Sequence, residues 1–278
     1  MTLHCQVGFN EALSVLELSR VFDQVPLEVG HHLYSINIEG LSRFNHLANR
    51  LGGTIDILDP QTGKVIWRHS AKYWFKHDRG KPFASGRKGL LPPKIARILI
   101  NLGTGGEELE GKNFLDPFCG SGTLLAEAGY LGMNLYGADN DQAQLTGAQS
   151  NLNFFDLHGT LIHADSVKLS EFIKVPIHFL ATEPYMGKPN PDPARTKDLA
   201  KGLMKLYLGA LKDWQKFLVS GAKVSMIFPV FSVAGQDFHT SQIIDDKALS
   251  SYNTSTRGLI YSKPEAIVRR EIVVLTKI

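Results

Sequence analysis

Cysteine is nearly absent: the 278-residue chain has two, Cys5 and Cys119, far apart. A disulfide scaffold is thereby excluded, and free thiols in a reducing, cytoplasmic setting are expected. No apolar run has the roughly 20 residues that a bilayer-crossing helix needs, so no membrane partner is expected. Met1 to Phe9 has neither the basic start nor the apolar centre of a secretory leader. The ten histidines show no H-x-x-x-H and no Cys/His spacing, so no metal site is expected. Internal repeats and low-complexity stretches are missing too. What remains is ordinary for a globular protein with a proper core, at 43% hydrophobic and 21% charged residues. The length suits one large domain, or a catalytic domain with a small appendage.

The net charge of +3 hides an uneven distribution. Lys64 to Arg97 holds ten Lys or Arg against one acid, Asp78, so that stretch carries +9 and the remainder −6. Trp67, Tyr73, Trp74, Phe75 and Phe83 lie among these charges. Cations interleaved with aromatic rings attract phosphates and unstacked bases. Lys72, Lys76, Arg79, Lys81, Arg87 and Lys88 are the candidate RNA contacts. A solvated connector is the plainer reading of the same residues.

Residues 1–58 read as a small α/β unit. In "NEALSVLELSRVF" Leu13, Leu16, Val21 and Phe22 recur at helical spacing. "HHLYSINI" reads as a strand, "SRFNHLANRLGG" as a helix stopped by Gly52 and Gly53, and "TIDILD" as a strand broken by Asp59-Pro60. Residues 59–82 read as a basic connector with a hairpin around "PQTGK". Over residues 83–278 strands and helices alternate. "PPKIARILINLG" is a helix opened by prolines. "KNFLDP", "NLYGAD", "GTLIHAD", "IHFLATEP" and "AKVSMIFPV" are strands, separated by helical stretches. This alternation predicts a parallel sheet covered on both faces. "TRGLIYS" and "REIVVLTKI" follow with no helix between them, which predicts an antiparallel edge strand.

"FLDPFCGSGTLLAEAG", residues 114–129, joins a strand to a helix through a glycine loop. Gly120 and Gly122 permit positive φ and close approach of a ligand to the backbone. The helix start favours a hydrogen-bond-accepting group. No Lys follows Gly122, so the loop is not the phosphate loop of a nucleotide triphosphatase. The third glycine of G-x-G-x-x-G is also missing, which weakens a dinucleotide. Asp139 closes the second strand 23 positions after Asp116, where an acid can take both hydroxyls of a ribose. Asp165 closes the third strand and can accept from an adenine amine, while Asp116 can receive an ammonium. Three acids at three strand ends, with no phosphate anchor, suit a cationic aminoacyl-nucleoside, S-adenosylmethionine. Any one of them alone is more often a cap or turn residue. Cys119 lies in the loop but has no His or carboxylate spaced to activate it.

"LDPFCGSGTLLAEAG", "YGADND" and "TEPYMG" resemble the motifs of the THUMP-associated tRNA guanosine N2-methyltransferases. "HDRGKPFASGRKGLLPPKIARILINL" resembles the segment that precedes their catalytic domain, and residues 8–58 carry a weaker likeness to their N-terminal domain. The resemblance implies a seven-stranded Rossmann-like sheet, S-adenosylmethionine as donor and an exocyclic base amine as acceptor. It implies that Asp116, Phe118, Gly120 and Gly122 line the cofactor, with Asn140 beside Asp139 and Ser166 beside Asp165. Only about 25 residues separate Asp59 from Phe83, too few for a THUMP domain. RNA docking then falls to the connector, the N-terminal unit or a partner subunit.

Aligned without a gap, the family's Asp-Pro-Pro-Tyr corresponds to Glu183-Pro184-Tyr185-Met186, whereas a one-residue shift puts Thr182 in the acid's place and Tyr185 in the aromatic's. Glu183 is the expected acceptor and Tyr185 the stacking ring, with Pro184 between them. Guanine's exocyclic lone pair is delocalised and nucleophilically weak. A carboxylate and a backbone carbonyl that accept its N–H groups turn that lone pair toward the sulfonium methyl, while an aromatic ring holds the extruded base. In-line positioning is the main requirement. The plain alternative is that Glu183-Pro184 merely ends a strand. The longer Glu changes reach by one methylene, and the missing second proline loosens the loop. Adenine N6 methylation, glutamine methylation in proteins and a degenerate cofactor- or RNA-binding subunit are the rival readings. His163 is expected to be packed. Lys188, Arg195, Lys197, Arg257 and Lys263 are weaker phosphate-binding candidates.

Overall fold

The computed structural model describes the chain apart from residues 9, 84–90, 189, 234 and 263–265. Arg87, Lys88 and Lys263 therefore lie outside the described residues.

The N-terminal part is a five-stranded antiparallel sheet. Its members are β1 (Thr2–Val7), β2 (Leu27–Gly30), β3 (Leu33–Asn37), β4 (Thr54–Leu58) and β5 (Val65–Arg68), in the order β2-β3-β1-β4-β5. Helices α1 (Glu11–Phe22) and α2 (Leu41–Ala48) cover it. Asn10 caps α1 by accepting from Leu13 N at 3.1 Å, and Asp23 ends the helix in a left-handed conformation. Alternation along β1 turns Leu3, Cys5 and Val7 inward against Leu18, Val21, Phe44 and Leu47. β5 and α3 (Ala71–Arg79) occupy the stretch that reads from sequence as a connector.

The second sheet begins with α4 (Pro93–Thr104). It contains β6 (Asn113–Asp116), β7 (Asn134–Asp139), β8 (Gly159–His163), β9 (Ile177–Thr182) and β10 (Leu218–Val233). The short β11 (Gln236–His239) pairs with β10, and β12 (Tyr252–Tyr261) and β13 (Val268–Lys277) complete the sheet. Helices α5 (Thr123–Tyr130), α6 (Gln142–Phe154) and α7 (Thr196–Trp214) connect the parallel strands. The main order is β12-β13-β10-β9-β6-β7-β8, the arrangement of a Rossmann-like methyltransferase. β6 to β10 run parallel, whereas β13 is antiparallel to both neighbours. The sequence predicts an antiparallel strand at the edge; β13 is instead inserted between β10 and β12. Its central residues Ile272 to Leu275 are buried, as an interior strand requires.

α4 is buried nearly all round because it packs against both halves of the molecule. Pro93 opens it, and Gly105, at φ +55°, stops it. Ile95, Ile98 and Leu99 join the core under β6 and β9. On its other side Asn101 donates to Glu17 Oε1 at 2.7 Å, and Glu17 also accepts from the amides of Gly52 and Gly53 at 2.9 Å each. A Cβ on Gly53 would fall 2.2 Å from Ser14 Oγ, so only glycine allows this approach. Arg97, also on α4, is 1% exposed and pairs with Glu127 of α5 at 2.6 Å. His77 and Tyr73 of α3 bond to the same carboxylate at 2.7 and 3.0 Å. Burial pushes the Glu127 carboxyl up, but Arg97, His77 and Tyr73 together hold it below its ordinary value.

Candidate methyltransferase site

The ends of the parallel strands form a staircase. Asp116 of β6 stands opposite Gly137, two residues short of Asp139 on β7. Asp139 stands opposite His163, two residues short of Asp165 after β8. Each acid therefore lies about one side-chain repeat further out than the last, near 6–7 Å along the strand direction. Exposure follows the same order: Asp116 is buried, Asp139 half-buried and Asp165 exposed.

The glycine loop crosses above this staircase. Gly120, at φ +49°, donates its amide to Asp139 Oδ2 at 2.9 Å, and Asp141 N donates to Asp139 Oδ1 at 2.9 Å. A carboxylate has about four acceptor positions, so these two bonds leave room for two hydroxyls. Among the described residues, a Cβ on Gly120 would meet nothing nearer than Gln144 Oε1 at 3.9 Å. Gly122, at φ +79°, starts α5 without a side-chain cap. Cys119 is buried, and burial first, then the charges of Asp116 and Asp139, push its thiol well above its ordinary value. It is no nucleophile.

Asp116 accepts from Thr182 Oγ1 at 2.8 Å and Phe118 N at 3.2 Å. Burial nevertheless pushes its carboxyl up to about 7, with the charges of Asp139 and Glu183 adding to the effect. The Phe118 ring lies edge-on to Trp214 at 6.4 Å. Asn140 is exposed and meets His163 Nε2 through its carbonyl at 3.1 Å. Contrary to the packed position expected for His163, its side chain is exposed beyond β8. Asp165 Oδ1 accepts from Val167 N at 3.1 Å. Ser166 is buried, and its hydroxyl has no partner among the described residues. An orphaned buried hydroxyl beside an exposed carboxylate suits a ligand with donor and acceptor groups on one edge, as adenine has.

Beyond β9 the chain continues as Glu183-Pro184-Tyr185-Met186. Pro184 is buried, whereas the Tyr185 ring is 56% exposed at the mouth. Tyr207 of α7 donates its hydroxyl to the Tyr185 carbonyl at 2.6 Å. Met186 packs into the core beside α4. Arg270 of β13 donates from Nε to Glu183 Oε1 at 2.5 Å. Burial raises the Glu183 carboxyl above its ordinary value, and the Arg270 charge opposes that rise. Tyr207 and Arg270 escape the sequence reading, and Thr182, which a shifted alignment puts in the acid's place, instead donates to Asp116. Arg270 is 87 residues from its partner, and no local spacing signals such a pair.

The basic candidates separate into two kinds. Lys72, Lys76 and Arg79 project from the outer side of α3 with Phe75, which is 65% exposed. The Lys76 ammonium lies over the Phe154 ring at 5.0 Å. Lys81 is buried and donates to Thr123 Oγ1 at 2.9 Å, so it fastens the chain to the start of α5. Asn151 then holds Phe83 N at 2.9 Å and the Ser121 carbonyl at 2.8 Å. Among the weaker candidates, Arg257 is paired with Asp245 at 2.9 Å and Lys197 lies 5.3 Å from the centre of the Phe238 ring. Among the described residues no group of His, Cys, Asp or Glu could hold a metal ion, and no helix is long and apolar enough to cross a membrane.

Residues 84–205 match the family model described as the RMKL-like methyltransferase domain. Residues 84–205 are thus similar to that methyltransferase domain. The chain is also similar to a tRNA (guanine(10)-N2)-dimethyltransferase from Pyrococcus abyssi (strain GE5 / Orsay). The two are 32% identical over 139 residues, which cover 49% of this chain and 40% of the relative. A tRNA (guanine(10)-N2)-dimethyltransferase from Methanothermobacter thermautotrophicus is 31% identical over 142 residues, covering 51% and 39%. The chain thus spans about two fifths of the length of these curated relatives. Among solved structures, TrmN from Thermus thermophilus aligns with a TM-score of 0.53 at 22% identity, over 69% of this chain and 50% of that one. A methyltransferase from Pyrococcus furiosus aligns with a TM-score of 0.50 at 14% identity, over 74% and 94%. At these identities the likeness is one of fold.

Proposed function

We propose that the methyltransferase domain uses S-adenosylmethionine to methylate the exocyclic N2 of a guanosine in tRNA. The observation that carries this reading is the staircase Asp116, Asp139, Asp165, whose innermost step, Asp116, lies beside the acid-Pro-aromatic turn that follows the neighbouring strand β9. The names of the curated relatives support the guanine amine in tRNA as acceptor.

The donor set fits the cofactor. Asp116 is a buried carboxylate lifted to about 7 by burial, and a neighbouring ammonium would relieve it. Asp139 keeps acceptor positions for ribose hydroxyls, Asp165 and the unpartnered Ser166 hydroxyl address adenine, and the backbone from Phe118 to Gly122 gives close approach. When bound, S-adenosylmethionine supplies a methyl group made electrophilic by its positive sulfur.

The remaining work belongs to the chain. Tyr185 offers a ring face to the extruded base. The Glu183 carboxylate accepts an N–H of the amine, and a backbone carbonyl next to Pro184 accepts the second. The nitrogen lone pair is then directed along the transfer axis, and good alignment contributes several kcal/mol of barrier lowering, to an order of magnitude. Once the N–C bond has formed, the acidified N–H passes its proton to Glu183 or to water. Phosphates approach the α3 surface through Lys72, Lys76 and Arg79, with Arg87 and Lys88 as further candidates. A partner subunit is a second route to RNA docking. The two buried thiols agree with a reducing, cytoplasmic setting.

The test is transfer of labelled methyl from S-adenosylmethionine to bulk tRNA, followed by nucleoside analysis. N2-methylguanosine or its dimethyl form is the expected product, and Glu183→Ala should abolish transfer while sparing cofactor affinity. N6-methyladenosine would replace the guanosine reading. Cofactor binding without transfer to any RNA would make the chain a binding subunit.

A further inference from the structure

Glu183 and Arg270 lie 87 residues apart in the chain, and nothing in the local sequence of either foretells their meeting. Arg270 Nε donates to Glu183 Oε1 at 2.5 Å, and the two side chains are 20% and 12% exposed. Glu183 Oε2 has no hydrogen-bond partner among the described residues. The turn itself lacks a second proline, which would have fixed φ at the next position. Two tethers from outside the turn hold it instead. Tyr207 of α7 fixes the Tyr185 carbonyl at 2.6 Å, and Arg270 of β13 fixes the carboxylate one residue before Pro184.

We propose that Arg270 is a positioning residue for methyl transfer. Its guanidinium holds Glu183 by one oxygen, fixes the rotamer of the long side chain and leaves the second oxygen for the acceptor amine. This rests on Glu183 as the acceptor carboxylate. The pair has two separable effects. One is geometric, because a planar guanidinium sets direction where an ammonium would not. The other is electrostatic. Burial favours the protonated carboxyl, which would offer a proton to the amine rather than accept one, and the Arg270 charge keeps Glu183 toward its ionised form.

The other charged and titratable groups facing Glu183 are Tyr207 from α7, Tyr261 from β12, Tyr185 on the same turn and Asp116 from β6. Burial pushes the Tyr207 and Tyr261 hydroxyls above their ordinary value, so neither titrates near neutral pH. Asp116 titrates near 7 itself, so a pH–rate profile alone would not separate the two carboxylates.

The experiment therefore uses full-length protein labelled with [13C]glutamate at the carboxyl carbon, which is blind to aspartate, with Glu183→Gln to assign the signal. Arg270→Met should raise the Glu183 titration midpoint by about one pH unit or more. It should also move the acidic limb of kcat upward by a similar amount and lower kcat at neutral pH by about 100-fold. Arg270→Lys should restore the midpoint but not kcat, with KM for tRNA unchanged, because charge returns without the planar fork. Unchanged S-adenosylmethionine affinity in both variants verifies that the fold is intact. An unmoved midpoint in Arg270→Met, or full kcat in either variant, overturns the proposal. If the native protein transfers no methyl group to RNA, the reading of the reaction falls, and the titration alone decides whether Arg270 governs the Glu183 charge.

Discussion

Thr182 Oγ1 lies 2.8 Å from Asp116 Oδ1, and this bond ties the end of β9 to the end of β6 at the mouth of the sheet. It leaves a carboxyl with too few partners for its burial, which is why Asp116 is pushed up to about 7. The native state then binds more protons than the unfolded chain between the ordinary aspartate value and about 7. Stability of the unliganded protein should therefore fall as pH rises through that window. A cationic ligand favours the ionised form, so S-adenosylmethionine affinity should rise with pH, by at most about tenfold per unit below 7, and level off above it. Calorimetry in buffers of different ionisation enthalpy would show the released proton, and Asp116→Asn should flatten the pH dependence.

Asp139→Ala removes the acceptor for Gly120 N as well as the proposed ribose contact. A hydrogen bond to a charged group contributes about 1.5–3 kcal/mol, so cofactor Kd should rise about 10- to 100-fold. Isothermal titration checks this, and an unchanged Kd would dismiss the ribose assignment.

The αβ alternation and the acids at strand ends can be read because each depends on neighbours in sequence. β7 alternates within six residues, and Asp139 closes it. β1 also alternates, but Leu3, Cys5 and Val7 give only three inward positions. β2 is exposed at every position, so no burial pattern could announce it. Lys81 looks like one more cation in a basic run. Its burial comes from Thr123, 42 positions on, and from packing that composition does not encode. Arg270 is illegible for the same reason at twice that separation.

The buried Arg97–Glu127 pair makes a sharp stability test. Glu127→Ala strands a guanidinium that is 1% exposed, and Arg97→Met strands the carboxylate. Removing one member of such a pair costs about 3–5 kcal/mol. Urea unfolding should show that loss for each single variant and a smaller loss for the double variant. Glu127 lies below its ordinary value, so its contribution is present above the unfolded carboxylate value and fades as pH falls below it.

The outer side of α3 is testable through salt. Deleting one phosphate-binding cation should reduce the slope of log K against log salt by about 1 and weaken binding evenly across sequences. Lys72→Ala and Lys76→Ala should each do so in tRNA binding measured by filter retention or fluorescence anisotropy. Lys81→Ala should leave the slope unchanged and lower thermal stability instead, because its ammonium is spent on Thr123. Slopes unmoved by both surface variants would shift RNA docking to another face.

α4 has no solvent side to spare, since one flank closes the sheet of β6 and β9 while the other receives Glu17 and Arg50. The two sheets therefore melt as a single body rather than as modules. Cutting the chain ahead of Leu91 should not release a stable catalytic fragment: it would bare an apolar rod with Asn101 cut off from Glu17 and Arg50, and the product should precipitate.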